Sequence, residues 1–99
     1  LNTTVSANQL YRGLYNLLRG WATYGIKGLK GNSETRVITG KLSSDNILSL
    51  RSTVFRISIT GNGKHSRVQI EKKSGSSKAV RRLIGEIENI LTKEGVLQK

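Results

Sequence analysis

The sequence has no cysteine, no proline and no methionine, and it holds one histidine and one aspartate. Without cysteine there is no disulfide, no thiolate nucleophile and no zinc-finger ligand set, so nothing requires an oxidising compartment and a cytoplasmic setting is the simpler expectation. His65, Asp45 and five scattered glutamates do not make a nucleophile, a base and an orienting group. Glu86 and Glu88, two positions apart, would not face each other on a helix. A catalytic role is therefore not expected, and no cofactor is implied. His65 sits in G-N-G-K-H with no second ligand in view, and reads as an exposed loop residue rather than a metal ligand. No apolar run reaches the roughly 20 residues of a membrane span, and the first residues lack the apolar core of a signal peptide, so membrane contact would be peripheral. Acids are scarce as well: six Asp and Glu stand against 17 Lys and Arg, a net charge of +11. That excess asks for a polyanionic partner such as phospholipid headgroups, nucleic acid or an acidic protein face.

Ninety-nine residues, 35% of them apolar, suffice for one domain with a modest core. A start at Leu1 and the lack of methionine suggest a module cut from the C-terminus of a longer chain. Ser6 followed by Gln9 has capping-box spacing, with Thr3 and Thr4 as alternative caps. Leu10, Leu14, Leu17, Leu18 and Trp21 then form one apolar stripe of a first helix ending near Gly20 or Gly25. Tyr11, Tyr15, Tyr24 and Trp21 invite a base-stacking reading, but their helical spacing argues for core packing.

Ile26 to Gly31, I-K-G-L-K-G, alternates poorly, so a strand there is short or bulged. Glu34 to Leu42 is a firmer strand. Ser43 to Ser52 is polar at its start and reads as a loop. Thr53 to Thr60 alternates cleanly, with Phe55, Ile57 and Ile59 on one face. The turn Gly61-Asn62-Gly63 leads into a strand from about Arg67, completing an antiparallel hairpin. If Arg56 and Ser58 lie opposite Arg67 and Gln69, the sheet has a wet, basic face.

The most informative stretch is Val68 to Arg82, V-Q-I-E-K-K-S-G-S-S-K-A-V-R-R. It reads as a strand, a break at Ser74, Gly75, Ser76 and Ser77 that supplies N-cap residues, and a helix with Val80, Leu83, Ile84, Ile87, Ile90 and Leu91 at helical spacing. Gly95 is its C′ candidate. Lys72, Lys73, Lys78, Arg81 and Arg82 crowd the helix start, where unpaired N–H groups and the positive end of the dipole already attract anions. A helix left to its own electrostatics prefers acids in its first turn, so this inversion points to an anionic ligand rather than to a merely solvated face.

V-Q-I-E-K-K-S-G-S-S-K-A-V-R-R-L-I resembles the last strand, S-G-[ST]-S turn and last helix of kinase-associated-1 domains, found at the C-terminus of microtubule-affinity-regulating kinases and their relatives. V-F-R-I-S-I and the first helix sit where that family has them, and the polar middle and basic first helix are most similar to the versions in fungal septin-associated bud-neck kinases. The resemblance implies an α–β(4)–α fold that binds acidic phospholipids such as phosphatidylserine and, in some kinases, restrains the parent kinase domain. It implies a cytoplasmic module peripheral to the plasma membrane, at the bud neck if the fungal likeness holds. Glu71 departs from it, since animal relatives tend to carry a basic residue there.

The expected architecture is α+β: a single antiparallel sheet of three or four strands with N- and C-terminal helices packed on one face (α–β–β–β–β–α), and Leu14, Leu17, Trp21, Leu83, Ile84 and Ile87 in the core. The expected anionic-lipid site is Lys72, Lys73, Ser74, Gly75, Ser76, Ser77, Lys78, Arg81 and Arg82, with Arg36, Arg51, Arg56, Lys64 and Arg67 as additional basic surface. The competing reading is a double-stranded RNA-binding domain, which also places a basic cluster at the start of its last helix. That domain typically has an alanine-rich last helix and a G-P-x-H loop; here Ala79 is the last helix's single alanine and there is no proline.

Overall fold

A computed structural model describes residues 1–20, 26–42, 53–75 and 77–97. Helix α1, Ala7–Gly20, starts where the Gln9 backbone N–H donates to Ser6 Oγ at 3.2 Å, the N-cap bond expected of that serine. It buries Ala7, Leu10, Tyr11, Leu14 and Leu18. Tyr11 stacks on Tyr15 with centroids 6.1 Å apart, and burial, then the neighbouring Tyr15, push its phenol above the ordinary tyrosine value. Helix α2, Ser77–Lys93, buries Val80, Leu83, Ile87 and Leu91. It closes as a Schellman motif, with Val96 N–H donating to Leu91 C=O at 3.1 Å, Gly95 N–H to Thr92 C=O at 3.0 Å, and a φ of 70° at Gly95.

The strands are β1 (Asn2–Thr3), β2 (Ile26–Asn32), β3 (Val37–Leu42), β4 (Thr53–Gly61) and β5 (Ser66–Ser74), in the antiparallel order β1-β5-β4-β3-β2. Phe55, Ile57, Ile59, Val68 and Ile38 are buried on the face that both helices cover, while Arg56, Arg67 and Gln69 are exposed on the other. The α+β architecture is as expected, with one strand more. One residue offered as an alternative helix cap belongs to the added strand instead: Thr3 is fully buried in β1, paired with Ser66, and its Oγ1 is hydrogen-bonded to Ser66 Oγ. Leu14, Leu83 and Ile87 are core residues as expected; Leu17 and Ile84 are half-buried at its margin, and Trp21 lies outside the described residues, as do Tyr24 and the loop 43–52.

The register of the β4–β5 hairpin corrects one expectation. Gly61 pairs with Ser66 around a four-residue connection, which sets Ser58 against Gln69, Thr60 against Arg67 and Arg56 against Glu71. Arg56 thus faces a carboxylate rather than Arg67.

Candidate anion-binding surface

The site begins with an irregularity in the β4–β5 ladder. Phe55 pairs with Lys72, yet Val54 pairs with Ser74, so Lys73 is an extra residue and the end of β5 is bulged. Because partners in a ladder share a face, Lys72 lies on the helix side of the sheet, exposed at its margin. Lys73 goes to the open side, where its Nζ is 3.5 Å from Glu71 Oε2. Both side chains of that pair are about half exposed (46% and 53%), so it is a surface pair of about 0–1 kcal/mol at most.

After Ser74 and Gly75 the chain turns into α2, whose first turn contains no acid. Ser77, Lys78, Arg81 and Arg82 are all exposed. The spacing of Lys78, Arg81 and Arg82 sets them on one stripe of the helix, away from Val80, Leu83 and Ile87. The structure therefore brings Lys72, Ser74, Gly75, Ser77, Lys78, Arg81 and Arg82 to one end of the molecule, with Lys73 beside them but already facing a carboxylate. Ser76 lies outside the described residues.

The additional basic residues do not gather there. Arg56 is exposed in mid-sheet on the open face, between Thr39 and Glu71. Arg67 is near the opposite end, its Nε donating to Asn2 Oδ1 at 3.1 Å, and exposed Lys64 is in the β4–β5 turn beyond it. Arg36, in the β2–β3 turn with φ 55°, is half-buried and donates from Nη1 to Asn8 Oδ1 at 3.1 Å, tying that turn to α1. Arg51 lies outside the described residues.

Two cations that sequence reasoning missed share the helix-start end. Ser74 pairs with Val54, Val54 with Lys41 and Lys41 with Lys27, one continuous row across β5, β4, β3 and β2. At a strand spacing of about 4.8 Å the row is roughly 14 Å long. Both lysines are exposed. The signal was present in I-K-G-L-K-G but needed the bulge: three positions apart, Lys27 and Lys30 belong on opposite faces of a regular strand. Gly28, with φ 60°, takes up the register shift that puts both on the open side, against Lys41 and Thr39.

Among the described residues no group of His, Cys, Asp or Glu is placed to hold a metal ion, and no helix is long and apolar enough to cross a membrane. A five-stranded sheet with its two helices on one face, and a basic helix start at its end, defines a small α+β module of the kinase-associated type. The sequence matches the family model described as the fungal kinase associated-1 domain over residues 1–98, and the chain belongs to that family. It is 57% identical over 99 residues to serine/threonine-protein kinase GIN4 of Saccharomyces cerevisiae, covering all of this chain and 9% of that protein. It is 46% identical over 100 residues to probable serine/threonine-protein kinase KCC4 of the same organism, covering all of this chain and 10% of that protein. The chain thus spans about a tenth of the length of these relatives. The expected resemblance, including its fungal character, is met, and the family makes this a non-catalytic, kinase-associated domain.

Proposed function

We propose that this domain is a peripheral membrane-targeting module that binds acidic phospholipids such as phosphatidylserine through the surface around the start of α2. The observation that carries this reading is the gathering of Lys72, Lys78, Arg81 and Arg82 at one end of the sheet, beside a helix start with no acid in its first turn. At about 1 kcal/mol per cation near an anionic leaflet, these four supply about 4 kcal/mol, a dissociation constant near 1 mM. A second membrane contact elsewhere in a longer chain would turn such weak binding into useful avidity. The names of the two relatives support a parent serine/threonine protein kinase, and the resemblance supports a cytoplasmic site at the bud-neck plasma membrane and restraint of the kinase domain.

The test is vesicle sedimentation with phosphatidylcholine, with and without phosphatidylserine, at rising salt, with double-stranded RNA as competitor. Native domain should bind only the anionic vesicles and lose binding as the Debye length falls below about 8 Å. Arg81→Ala/Arg82→Ala should weaken binding roughly 25-fold and Lys72→Ala/Lys73→Ala, whose second lysine already faces Glu71, at least about fivefold, with the fold intact. Tight binding to RNA with none to vesicles would replace this reading with the RNA-binding one.

A further inference from the structure

The row Ser74, Val54, Lys41, Lys27 carries an arrangement that the fold does not explain. Lys27 and Lys41 are directly opposite each other on β2 and β3, and like charges in that position destabilise a strand pair. No described carboxylate lies opposite either in the ladder: Glu71 is on β5 and faces Lys73, Glu34 is in the β2–β3 turn at the far end, Glu86 and Glu88 are on α2, and Glu94 follows its C-terminus. β2 also reaches this arrangement through a bulge, at Gly28, that keeps Lys27 and Lys30 on the same open side. The row ends at Ser74, the last residue of β5 before the turn into α2.

We propose that Lys27 and Lys41 are a second contact for the anionic bilayer, on the same edge of the molecule as the α2 start and about 14 Å along it. This rests on the lipid reading and deepens it. A single phosphate group cannot reach both contacts, whereas a planar array of anionic headgroups meets both at once. The edge therefore selects a charged surface over a soluble phosphate, and the repulsion between the two opposed lysines is relieved when the surface is engaged.

The measurement is binding of the 99-residue chain to phosphatidylserine-containing vesicles, with stability followed by thermal melting. Lys27→Ala/Lys41→Ala should weaken vesicle binding by about fivefold per lysine, roughly 25-fold for the pair. Binding of soluble inositol trisphosphate, measured in parallel, should not change. Lys27→Glu separates a ligand contact from a structural role, because it sets opposite charges across the strand pair: melting temperature should rise while vesicle binding falls. If the lysine variants bind vesicles like the native chain while Arg81→Ala/Arg82→Ala does not, this inference is overturned and the lipid reading stands. If native chain fails to bind anionic vesicles, both are overturned.

Discussion

The two ends of the sheet are built on opposite terms. At the hairpin end, Val68 and Leu1 exchange backbone bonds of 2.7 and 3.0 Å, Thr4 N–H reaches Val96 C=O at 2.8 Å, and Thr3 bridges to Leu97. Asn62 Oδ1 accepts from the Lys64 and His65 backbone N–H groups at 2.8 and 3.0 Å, its own C=O accepts from Ala7 N–H, and Arg67 and Arg36 are tied to Asn2 and Asn8. The N-terminus, the turns and two arginines are held there. At the other end Lys27, Lys41, Lys72, Lys78, Arg81 and Arg82 are exposed around the last turn of the sheet, with Lys73 paired to Glu71 beside them. Side chains and backbone at the first end are largely bonded to one another and stabilise the fold, while Lys27, Lys41, Lys72, Lys78 and Arg81 at the second stand exposed to whatever lies outside it.

The largest effect expected from breaking this contrast is at the clasp. Ser66→Val removes the close partner of the fully buried Thr3 hydroxyl and leaves it only the 3.5 Å contact from the Val5 N–H, and a buried polar group so poorly partnered costs about 1–3 kcal/mol. In a chain of this size each kcal/mol lowers the melting temperature by about 4–8 °C. Vesicle binding per folded molecule should be unchanged when measured well below the new midpoint. A loss of binding there would mean that the two ends are coupled.

Most of the fold was legible because it rests on periodicity. The stripe Leu10, Leu14, Leu18, the alternation of Phe55, Ile57 and Ile59, the Ser6 cap and the Gly95 stop are local patterns, each with a single physical reading. What escaped was set by pairing at long range. Thr3 looks like a cap until Ser66, 63 residues away, arrives beside it. Lys27 and Lys41 are ordinary surface lysines until two bulges, at Gly28 and Lys73, bring them into line with Ser74. The helix-start half of the site could be read from one continuous stretch; the sheet half required the register of four strands.

A smaller effect sharpens the charged end. Glu71 is the one carboxylate on β5, and it engages Lys73. Glu71→Gln should release that lysine and tighten vesicle binding about two- to fivefold, with the larger value at low salt, because one cation near an anionic surface contributes about 1 kcal/mol and screening reduces it. The melting temperature should move little, since an exposed pair contributes about 1 kcal/mol at most. Unchanged affinity in low salt would mean that Lys73 is turned away from the bilayer.

The smallest expected effect is the one that separates location from total charge. If attraction simply followed the net charge of +11, removing any two cations would cost about the same. Arg67 is seven residues along β5 from Ser74, roughly 23 Å at strand rise, with Lys64 further still in the turn. That is nearly three Debye lengths of about 8 Å at physiological ionic strength, so a bilayer seated at the helix-start end barely senses either residue. Lys64→Ala/Arg67→Ala should therefore leave vesicle affinity within about twofold of native, against the roughly 25-fold loss for Arg81→Ala/Arg82→Ala. Its stability should stay within about 0.5 kcal/mol, because the only bond removed is the exposed one to Asn2. Equal losses from the two double variants at physiological salt would show that the membrane does not distinguish the ends.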